Sequence, residues 1–338
     1  MIFIGAGVPV AFGIAPLIEM TKIIRDKITK ENQTYVDQIN QVIERLEANG
    51  FVGDIENVLS VLEAMKNPER VYAEIGPKVA ALEVAGTLAP MVDIDPLIKS
   101  IKLNIKQLCS SPDYDKATAF YNPLLKQLSK MTHIGTEAEE AKRFKSMIVT
   151  TNYDITIEET LEARGTNYYD GFSFNEARKI PVFSKSWPQI SGLPGSINLV
   201  KIHGSVDYYL EQEGIIVKDR AITKLGRDKK RSELLVYPAG EKSITSTPYY
   251  DLYSIFRTEL FLGKFMICLG FSFRDFAIRN IVSDWLSINS NAKLILYARH
   301  ADANRSQFPS EFQSRIITEN VDFTASTPIS DITTHLHY

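Results

Sequence analysis

Runs of consecutive apolar residues along the chain predict the buried strands of a parallel sheet. Strands covered on both faces are apolar at successive positions rather than at alternate ones. Helical spacing follows at 155–163 and 275–286, so strands and helices alternate as in β-α-β units. The predicted strands are Met1–Ile4, Met147–Thr150, Leu199–Ile202, Lys264–Leu269 and Lys293–Ala298.

The segment between the first two strands has a different periodicity. From about 34 to 145, apolar residues recur every three or four positions, as on one face of an amphipathic helix. Asp54 is a candidate N-cap in this segment, and Asp95 with Pro96 marks another helix start. The sequence therefore predicts a doubly wound, Rossmann-like α/β domain from 1–33 and 146–338, interrupted by a helical insertion over 34–145.

Composition and charge exclude several classes of protein. The 338 residues are 44% hydrophobic and 23% charged, a globular balance and not a disordered one. The formal net charge is −3, so no overall field attracts nucleic acid or an anionic membrane, and direct binding of either is not expected. The basic run over 224–231 contains acidic residues as well, and a solvated loop is the favoured interpretation.

The cysteine content and the amino-terminal segment bear on metal binding and localisation. Cys109 and Cys268 cannot supply the four thiolates of a structural zinc site, and they do not resemble a secreted disulfide framework. The apolar stretch 2–18 lacks the basic start of a signal peptide, and its glycines and prolines suit a membrane helix poorly. We expect a cytoplasmic protein without a metal.

Gly5-Ala6-Gly7 forms a turn between the first strand and the first helix. Glycine lets backbone N–H groups approach a phosphate closely, and the start of a helix favours an anion. Tight packing explains such a turn equally well. Gly13 follows Gly7 too late for the G-x-G-x-x-G fingerprint, so an ordinary dehydrogenase is disfavoured.

Asn152 and Asp154 directly follow the second strand, in Thr150-Thr151-Asn152-Tyr153-Asp154. This places them at the carboxyl edge of the sheet, where open α/β sheets bind ligands. The amide of Asn152 can donate and accept hydrogen bonds at once, as needed to hold a ribose hydroxyl or a water. The alternative is that either side chain only caps the next helix.

Two further turns carry candidate groups. His203 follows the third predicted strand, with Gly204 beside it, and could act as a general base near neutral pH. A structural histidine is the alternative. Gly270 and Ser272 lie in another strand-to-helix turn, where Ser272 or Asp275 could cap the helix or the turn could face an adenosine ribose.

Together, the four turns resemble those of the sirtuin family in their order along the chain and in their residue patterns. The corresponding sirtuin motifs are G-A-G followed by G-I, T-Q-N-I-D, a catalytic H-G and a late G-T-S. More narrowly, the T-N-Y-D motif and the G-x-S-x-x-D turn are similar to motifs of sirtuin-like NAD-hydrolysing proteins in prokaryotic antiphage defence systems. Examples of such proteins are Thoeris effectors and sirtuin-like partners of hexameric ATPases. The chain departs from the family at Pro9, Ala15 and Ile18, and it lacks the zinc-binding cysteine pairs of deacylating sirtuins.

The resemblance implies an NAD glycohydrolase that uses NAD as substrate and needs no metal. It implies pyrophosphate contacts at the Gly5-Ala6-Gly7 turn, with Asn152 and Asp154 at the nicotinamide ribose, His203 as the base, and Gly270 and Ser272 on the adenosine side. It also implies a homo-oligomer gated by assembly or by a partner, such as a hexameric ATPase or another defence protein. Alternatives are an NAD-dependent deacylase, an ADP-ribosyl transferase, and a catalytically silent module that senses NAD or ADP-ribose.

Overall fold

The computed structural model describes residues 1–66, 84–88, 91, 93–131, 146–184, 196–211, 214–221, 231–235, 247–324 and 327. The chain divides by packing into two compact units. The first unit consists of Met1–Gly13, Pro112–Leu235 and Asp251–Tyr338, and the second of Ile14–Ser111 and Val236–Tyr250.

The strands all belong to the first unit. In chain order they are β1 (Ile2–Ile4), β2 (Ser146–Thr150), β3 (Tyr168–Tyr169), β4 (Phe172–Asn175), β5 (Ile180–Phe183), β6 (Ile197–Lys201), β7 (Gly204–Leu210), β8 (Ile216–Lys218), β9 (Ser232–Leu235), β10 (Phe265–Leu269), β11 (Lys293–Ala298) and β12 (Ile316–Asn320). The five strands predicted from the sequence are all among them.

The helices include those that the periodicity predicts, together with two, Tyr249–Leu262 and Ala301–Arg305, that it does not predict. In chain order they are α1 (Leu17–Glu31), α2 (Gln33–Ala48), α3 (Ile55–Lys66), α4 (Ile94–Cys109), α5 (Tyr114–Met131), α6 (Thr156–Ala163), α7 (Tyr249–Leu262), α8 (Phe276–Ile288) and α9 (Ala301–Arg305). Asp54 accepts a hydrogen bond from the backbone N–H of Asn57 at 3.0 Å, which confirms it as the cap of α3. No helix in these described parts of the chain is long and apolar enough to span a membrane.

Seven strands form a parallel sheet in the order β12-β11-β10-β1-β2-β6-β3. On one side of β1 lie β2 and then β6. The later strands β10, β11 and β12 lie on the other side of β1. The strand order therefore reverses between β1 and β10, which is the doubly wound arrangement. The predicted fold class is confirmed.

The packing of β1 explains why this strand has no polar residue. Ile2 and Ile4 belong to a core cluster that includes Phe120 and other apolar residues of α5. Phe3 points to the opposite face, where its ring lies 5.6 Å from that of Phe256 in α7. Because successive side chains of a strand point to opposite faces, a sheet covered on both sides requires an apolar residue at each position.

A second sheet follows β6 in the same unit. It is antiparallel, with the order β4-β5-β8-β7-β9. Its core contains Phe172 of β4 and Tyr208 of β7, whose rings lie 4.5 Å apart, together with Ile216 of β8. The apolar pattern of the sequence does not predict this sheet, because β4 and β5 are short and largely exposed or half-buried and so lack a long apolar run.

Packing divides the chain at other points than the predicted boundaries at 33 and 146. The second unit contains α2, α3 and α4. It also contains α1, which the prediction placed in the α/β domain. The first unit contains α5, because this helix places Phe120, Tyr121 and Leu124 in the core cluster of the parallel sheet. Helical periodicity alone does not distinguish a helix that covers the sheet from one of the insertion. Residues 67–83 and 132–145 of the predicted module lie outside the described residues.

Candidate functional site

The carboxyl ends of four strands lie side by side in the parallel sheet. Ile4 is in register with Thr150 of β2 and with Leu269 of β10, and Thr150 is in register with Lys201 of β6. The next residues of each strand therefore leave the sheet at one edge. They form turn 1 (5–8), turn 2 (151–155), turn 3 (202–203) and turn 4 (270–275).

Turn 1 packs closely against turn 4 through glycine. The N–H of Gly5 donates to the carbonyl oxygen of Leu269 at 2.8 Å, and the N–H of Gly7 donates to that of Gly270 at 2.8 Å. A Cβ atom on Gly5 would lie 2.7 Å from the Gly270 oxygen, and one on Gly7 would lie 2.9 Å from the Gly270 Cα. Gly270 itself has a φ of +64°. The two turns can approach this closely only because they lack side chains.

Turn 1 keeps one backbone donor that no described residue engages. The N–H of Val8 donates back to Gly5 at 3.2 Å, so the amides of Gly5, Gly7 and Val8 are all engaged. Ala6 is exposed, and its N–H meets no acceptor among the described residues. Of the predicted phosphate contacts, the amide of Ala6 is therefore the one that is free to reach a ligand.

Asn152 is buried and is held by backbone atoms of β1 and turn 1. The Thr150 hydroxyl donates to the carbonyl of Ile4 at 2.8 Å and accepts from the N–H of Asn152 at 3.0 Å. The Asn152 Nδ2 atom donates to the carbonyl of Gly5 at 3.2 Å. No described residue donates to the Oδ1 atom of Asn152. This oxygen is thus the atom that can accept a hydrogen bond from a hydroxyl or a water.

Asp154 holds the start of α6. Its Oδ1 atom accepts from the backbone N–H of Thr156 at 3.1 Å and from the Thr156 hydroxyl. Its carbonyl oxygen accepts from Lys201, which also pairs with Glu158 at 3.0 Å, fully buried. Burial raises the pKa of Glu158, and the nearby Lys201 charge partly offsets that rise. These contacts form an Asx turn just before α6, whose N-cap is Ile155, so Asp154 stabilises the start of the helix without being its N-cap.

Turn 3 and the strand after it, β7, are joined to β2 and turn 2 by backbone hydrogen bonds. The N–H of Ile202 donates to Thr150 at 3.0 Å, and that of Val206 donates to Tyr153 at 2.9 Å. The His203 ring is buried, with its centroid 6.5 Å from that of the Tyr153 ring. These contacts bring the loop that carries Asn152 against the loop that carries the histidine.

Asp275, in turn 4, faces His203. The Nε2 atom of His203 lies 3.3 Å from the Oδ2 atom of Asp275, and the two side chains are only 3% and 8% exposed. The sequence indicated Asp275 only as a candidate helix cap. Its position five residues after a glycine that ends a buried strand was the available signal, but nothing in the sequence shows which turn it faces.

Ser272 lies at the half-buried outer part of turn 4. Its hydroxyl accepts from Arg274 Nε at 3.3 Å, and its carbonyl accepts from Gln307 at 2.9 Å. The structure thus brings Gly5, Gly7, Asn152, His203 and Gly270 into direct contacts between turns, whereas the contacts of Ser272 are with turn 4 itself and with the segment after α9.

The four turns form a closed ring of contacts. Turn 1 contacts turn 4 through glycine, turn 2 contacts turn 1 through Asn152, turn 3 contacts turn 2 through the rings of His203 and Tyr153, and turn 4 contacts turn 3 through Asp275. The ring borders the point between β1 and β10 where the strand order reverses. This is the position at which open α/β sheets bind ligands.

Other candidate groups lie away from this ring. No cluster of three or more His, Cys, Asp or Glu in the described parts of the chain is arranged to hold a metal ion, and the thiols of Cys109 and Cys268 are buried. Of the basic run, 224–230 lies outside the described residues. Arg231 pairs with Asp219 and with Glu211, each at 2.8 Å.

Comparison with known proteins places the chain in a family. No curated protein matches it in sequence. A structure from a study of sirtuin substrate affinity is 12% identical, with a TM-score of 0.40, over 99% of this chain and 91% of the other. A Sir2 variant with deacetylated p53 peptide and 3'-O-acetyl-ADP-ribose is also 12% identical, with a TM-score of 0.39, over 99% and 90%. Superpositions this weak carry no argument.

The family model of the SIR2-like domain, in contrast, matches residues 146–318, just over half of the chain. The matched segment begins at β2 and ends within β12, so it includes turns 2, 3 and 4. The chain therefore belongs to the SIR2-like family.

Proposed function

We propose that this protein is an NAD glycohydrolase, which cleaves NAD to nicotinamide and ADP-ribose. The observation that carries the proposal is the closed ring of four turns, with Asn152 and His203 buried in it, at the switch point of a doubly wound sheet. Membership of the SIR2-like family supports NAD as the dinucleotide.

The groups that line the ring match the parts of NAD. The N–H of Ala6, which meets no acceptor among the described residues, is a donor for a pyrophosphate oxygen, and the exposed position of this residue admits a ligand. The Oδ1 atom of Asn152 is an acceptor for a hydroxyl of the nicotinamide ribose. We assign Gly270 and Ser272 to the adenosine side, because turn 4 lies across the switch point from Asn152.

The proposed reaction breaks the bond between C1' of the ribose and the nicotinamide nitrogen. Nicotinamide leaves with the bonding electron pair, and positive charge develops on the ribose as an oxocarbenium ion. A water oxygen then bonds to C1', and one of its protons must be removed. Asn152 orients the ribose hydroxyl or the water, and His203 accepts the proton. Asp154 supports this step indirectly, by holding the loop that carries Asn152.

The test measures nicotinamide and ADP-ribose released from NAD, with and without the products of the neighbouring genes. Replacing His203 with Ala should lower turnover by about 10²- to 10⁴-fold, the usual worth of a general base, while NAD still binds. We expect a comparable loss for Asn152→Ala. The matched controls are His300→Ala and Asn291→Ala, because both residues are exposed and lie outside the ring.

The products also separate the proposal from its alternatives. Acyl-ADP-ribose formed from an acylated peptide would indicate a deacylase, and ADP-ribose transferred to a protein would indicate a transferase. Saturable NAD binding without turnover in every arm would indicate a sensor. Equal release of nicotinamide by the wild type and by both site variants would contradict the assigned residues.

We also propose that the protein is an effector in antiphage defence. Unrestrained cleavage of NAD would kill the host, so the activity must be gated, either by self-assembly or by a second protein such as a hexameric ATPase. This step rests on the family resemblance and not on particular residues. Phage plaque counts on cells that carry the gene and its neighbours, compared with His203→Ala cells, test it; equal plaque counts would contradict it.

A further inference from the structure

Asp275 uses its two carboxylate oxygens for two different tasks. The Oδ1 atom accepts from the backbone N–H groups of Ala277 at 3.0 Å and of Ile278 at 3.2 Å, which caps α8. The Oδ2 atom lies 3.3 Å from His203 Nε2. The helix end therefore fixes the carboxylate, and the fixed carboxylate faces the imidazole.

The surroundings keep this pair away from water. The side chains of His203 and Asp275 are 3% and 8% exposed, so solvent screens their interaction little. Burial raises the pKa of the neighbouring Tyr253 phenol well above its usual value, and the negative charge of Asp275 adds to the rise. Tyr253 is therefore neutral beside the pair.

The hydrogen-bond chemistry of the pair determines where the imidazole proton lies. An ionised carboxylate only accepts hydrogen bonds, so a histidine nitrogen that faces it must carry the proton. We propose that Asp275 is a positioning residue that holds His203 in the tautomer with the proton on Nε2, so that Nδ1 carries the basic lone pair.

This role rests on the proposed hydrolysis of NAD. In that reaction, the Nδ1 atom of His203 takes the proton of the attacking water. The imidazolium that forms then lies next to the Asp275 carboxylate, which stabilises it and remains unprotonated itself. The proton returns to solvent when the products leave. Asp275 touches neither substrate nor water in this scheme and acts only through His203.

Asp275→Asn separates the two tasks of the residue. Asparagine caps a helix as well as aspartate does, and its Oδ1 atom must face the same two backbone N–H groups because those groups donate. Its Nδ2 atom then faces His203 Nε2 and donates to it. The imidazole proton of His203 is then forced onto Nδ1, so Nδ1 no longer has the lone pair that would accept a proton from water.

The first measurement is the tautomer itself, without NAD. Protein labelled with ¹⁵N-histidine is examined by two-bond ¹H–¹⁵N correlation between pH 8 and about pH 9, where a histidine of ordinary pKa, about 6.5, is almost wholly neutral. Among the signals of the five histidines, those of His203 are identified as the set that is absent from His203→Ala. We expect an Nε2–H ring in the wild type and an Nδ1–H ring in Asp275→Asn. The same tautomer in both proteins would overturn the proposal.

The second measurement is turnover. We expect Asp275→Asn to lower kcat by about 10²- to 10⁴-fold with KM for NAD changed less than about threefold. The matched control is Asp113→Asn, because Asp113 caps α5 in the same way, through the backbone N–H of Lys116 at 3.1 Å, and its side chain is 39% exposed and outside the ring. This control should keep full activity.

The two measurements distinguish failure of the inference from failure of the proposed function. A tautomer change without NAD hydrolysis in any wild-type sample would leave the positioning role intact and contradict the glycohydrolase. Hydrolysis that is unaffected by Asp275→Asn would contradict the positioning role alone. If Asp275→Asn unfolds, Asp275→Ser provides the second variant, since serine caps the helix but has no second oxygen for His203; it should lose the Nε2–H preference.

Discussion

Asn152 and His203 are oriented by atoms that lie far from them in the sequence. Asn152 donates to a carbonyl 147 positions away, and His203 faces a carboxylate in a different strand-to-helix turn. Such partners could not be identified from the sequence, because the register of the parallel strands decides which turns meet. The residue types and their positions at strand ends were nevertheless visible, and they were sufficient to select both residues.

Gly5 provides a test of the contact between turns 1 and 4. A Cβ atom at Gly5 would lie 2.7 Å from both the Gly270 carbonyl oxygen and the Phe271 Cβ, so Gly5→Ala forces backbone to move. We expect the free energy of unfolding to fall by about 1–3 kcal/mol, the usual cost of overpacking, as measured by urea denaturation.

Gly263→Ala is the matched control for this change. The nearest neighbour of a Cβ atom at Gly263 would be a carbonyl oxygen at 3.5 Å, which is ordinary van der Waals contact. We therefore expect the free energy of unfolding to change by less than about 1 kcal/mol. If Gly5→Ala were as stable as Gly263→Ala, the close approach of the two turns would be contradicted.

At the scale of elements, α6 and β6 are joined by a buried ion pair. Lys201 ends β6 and is in contact with Glu158 in the first turn of α6, and the two side chains are 0% and 1% exposed. Lys201 also donates to the carbonyl of Asp154. The pair therefore fixes turn 2 relative to the strand that precedes His203.

We predict that Lys201→Met is strongly destabilising, because it leaves Glu158 buried without its counter-ion. The expected loss in unfolding free energy is about 3–5 kcal/mol, and adding Glu158→Leu should recover most of it. Full recovery would show that the penalty comes from the unpaired carboxyl. A Lys201→Met protein as stable as the wild type would contradict the buried pair.

The pH dependence of Lys201→Met has a defined sign. Burial raises the native pKa of Glu158 above its ordinary value of 4.5, and loss of Lys201 removes an opposing charge. The native state then binds more protons than the unfolded state, so stability should fall as pH rises above about 4.5, by at most about 1.4 kcal/mol per pH unit. Urea denaturation at pH 5 and pH 8 measures this slope.

At the scale of the whole molecule, the chain contains one unit with the candidate site and a second unit that is helical where it is described. We propose that the helical unit serves self-assembly. We expect the purified protein to have a mass that is a multiple of 38.1 kDa by light scattering at micromolar concentration. A mass of one chain, unchanged on adding NAD or the neighbouring gene products, would contradict this expectation.

The sequence by itself determined five of the seven strands of the parallel sheet, most of the helices and the residues at the ends of the predicted strands, because buried strands and amphipathic helices leave local patterns. It did not determine the antiparallel sheet, the side on which α5 packs, or the contact between Asp275 and His203. These depend on strand order and register, which are set by packing between residues far apart in the chain. Only the tertiary structure therefore decided that the four turns form one ring.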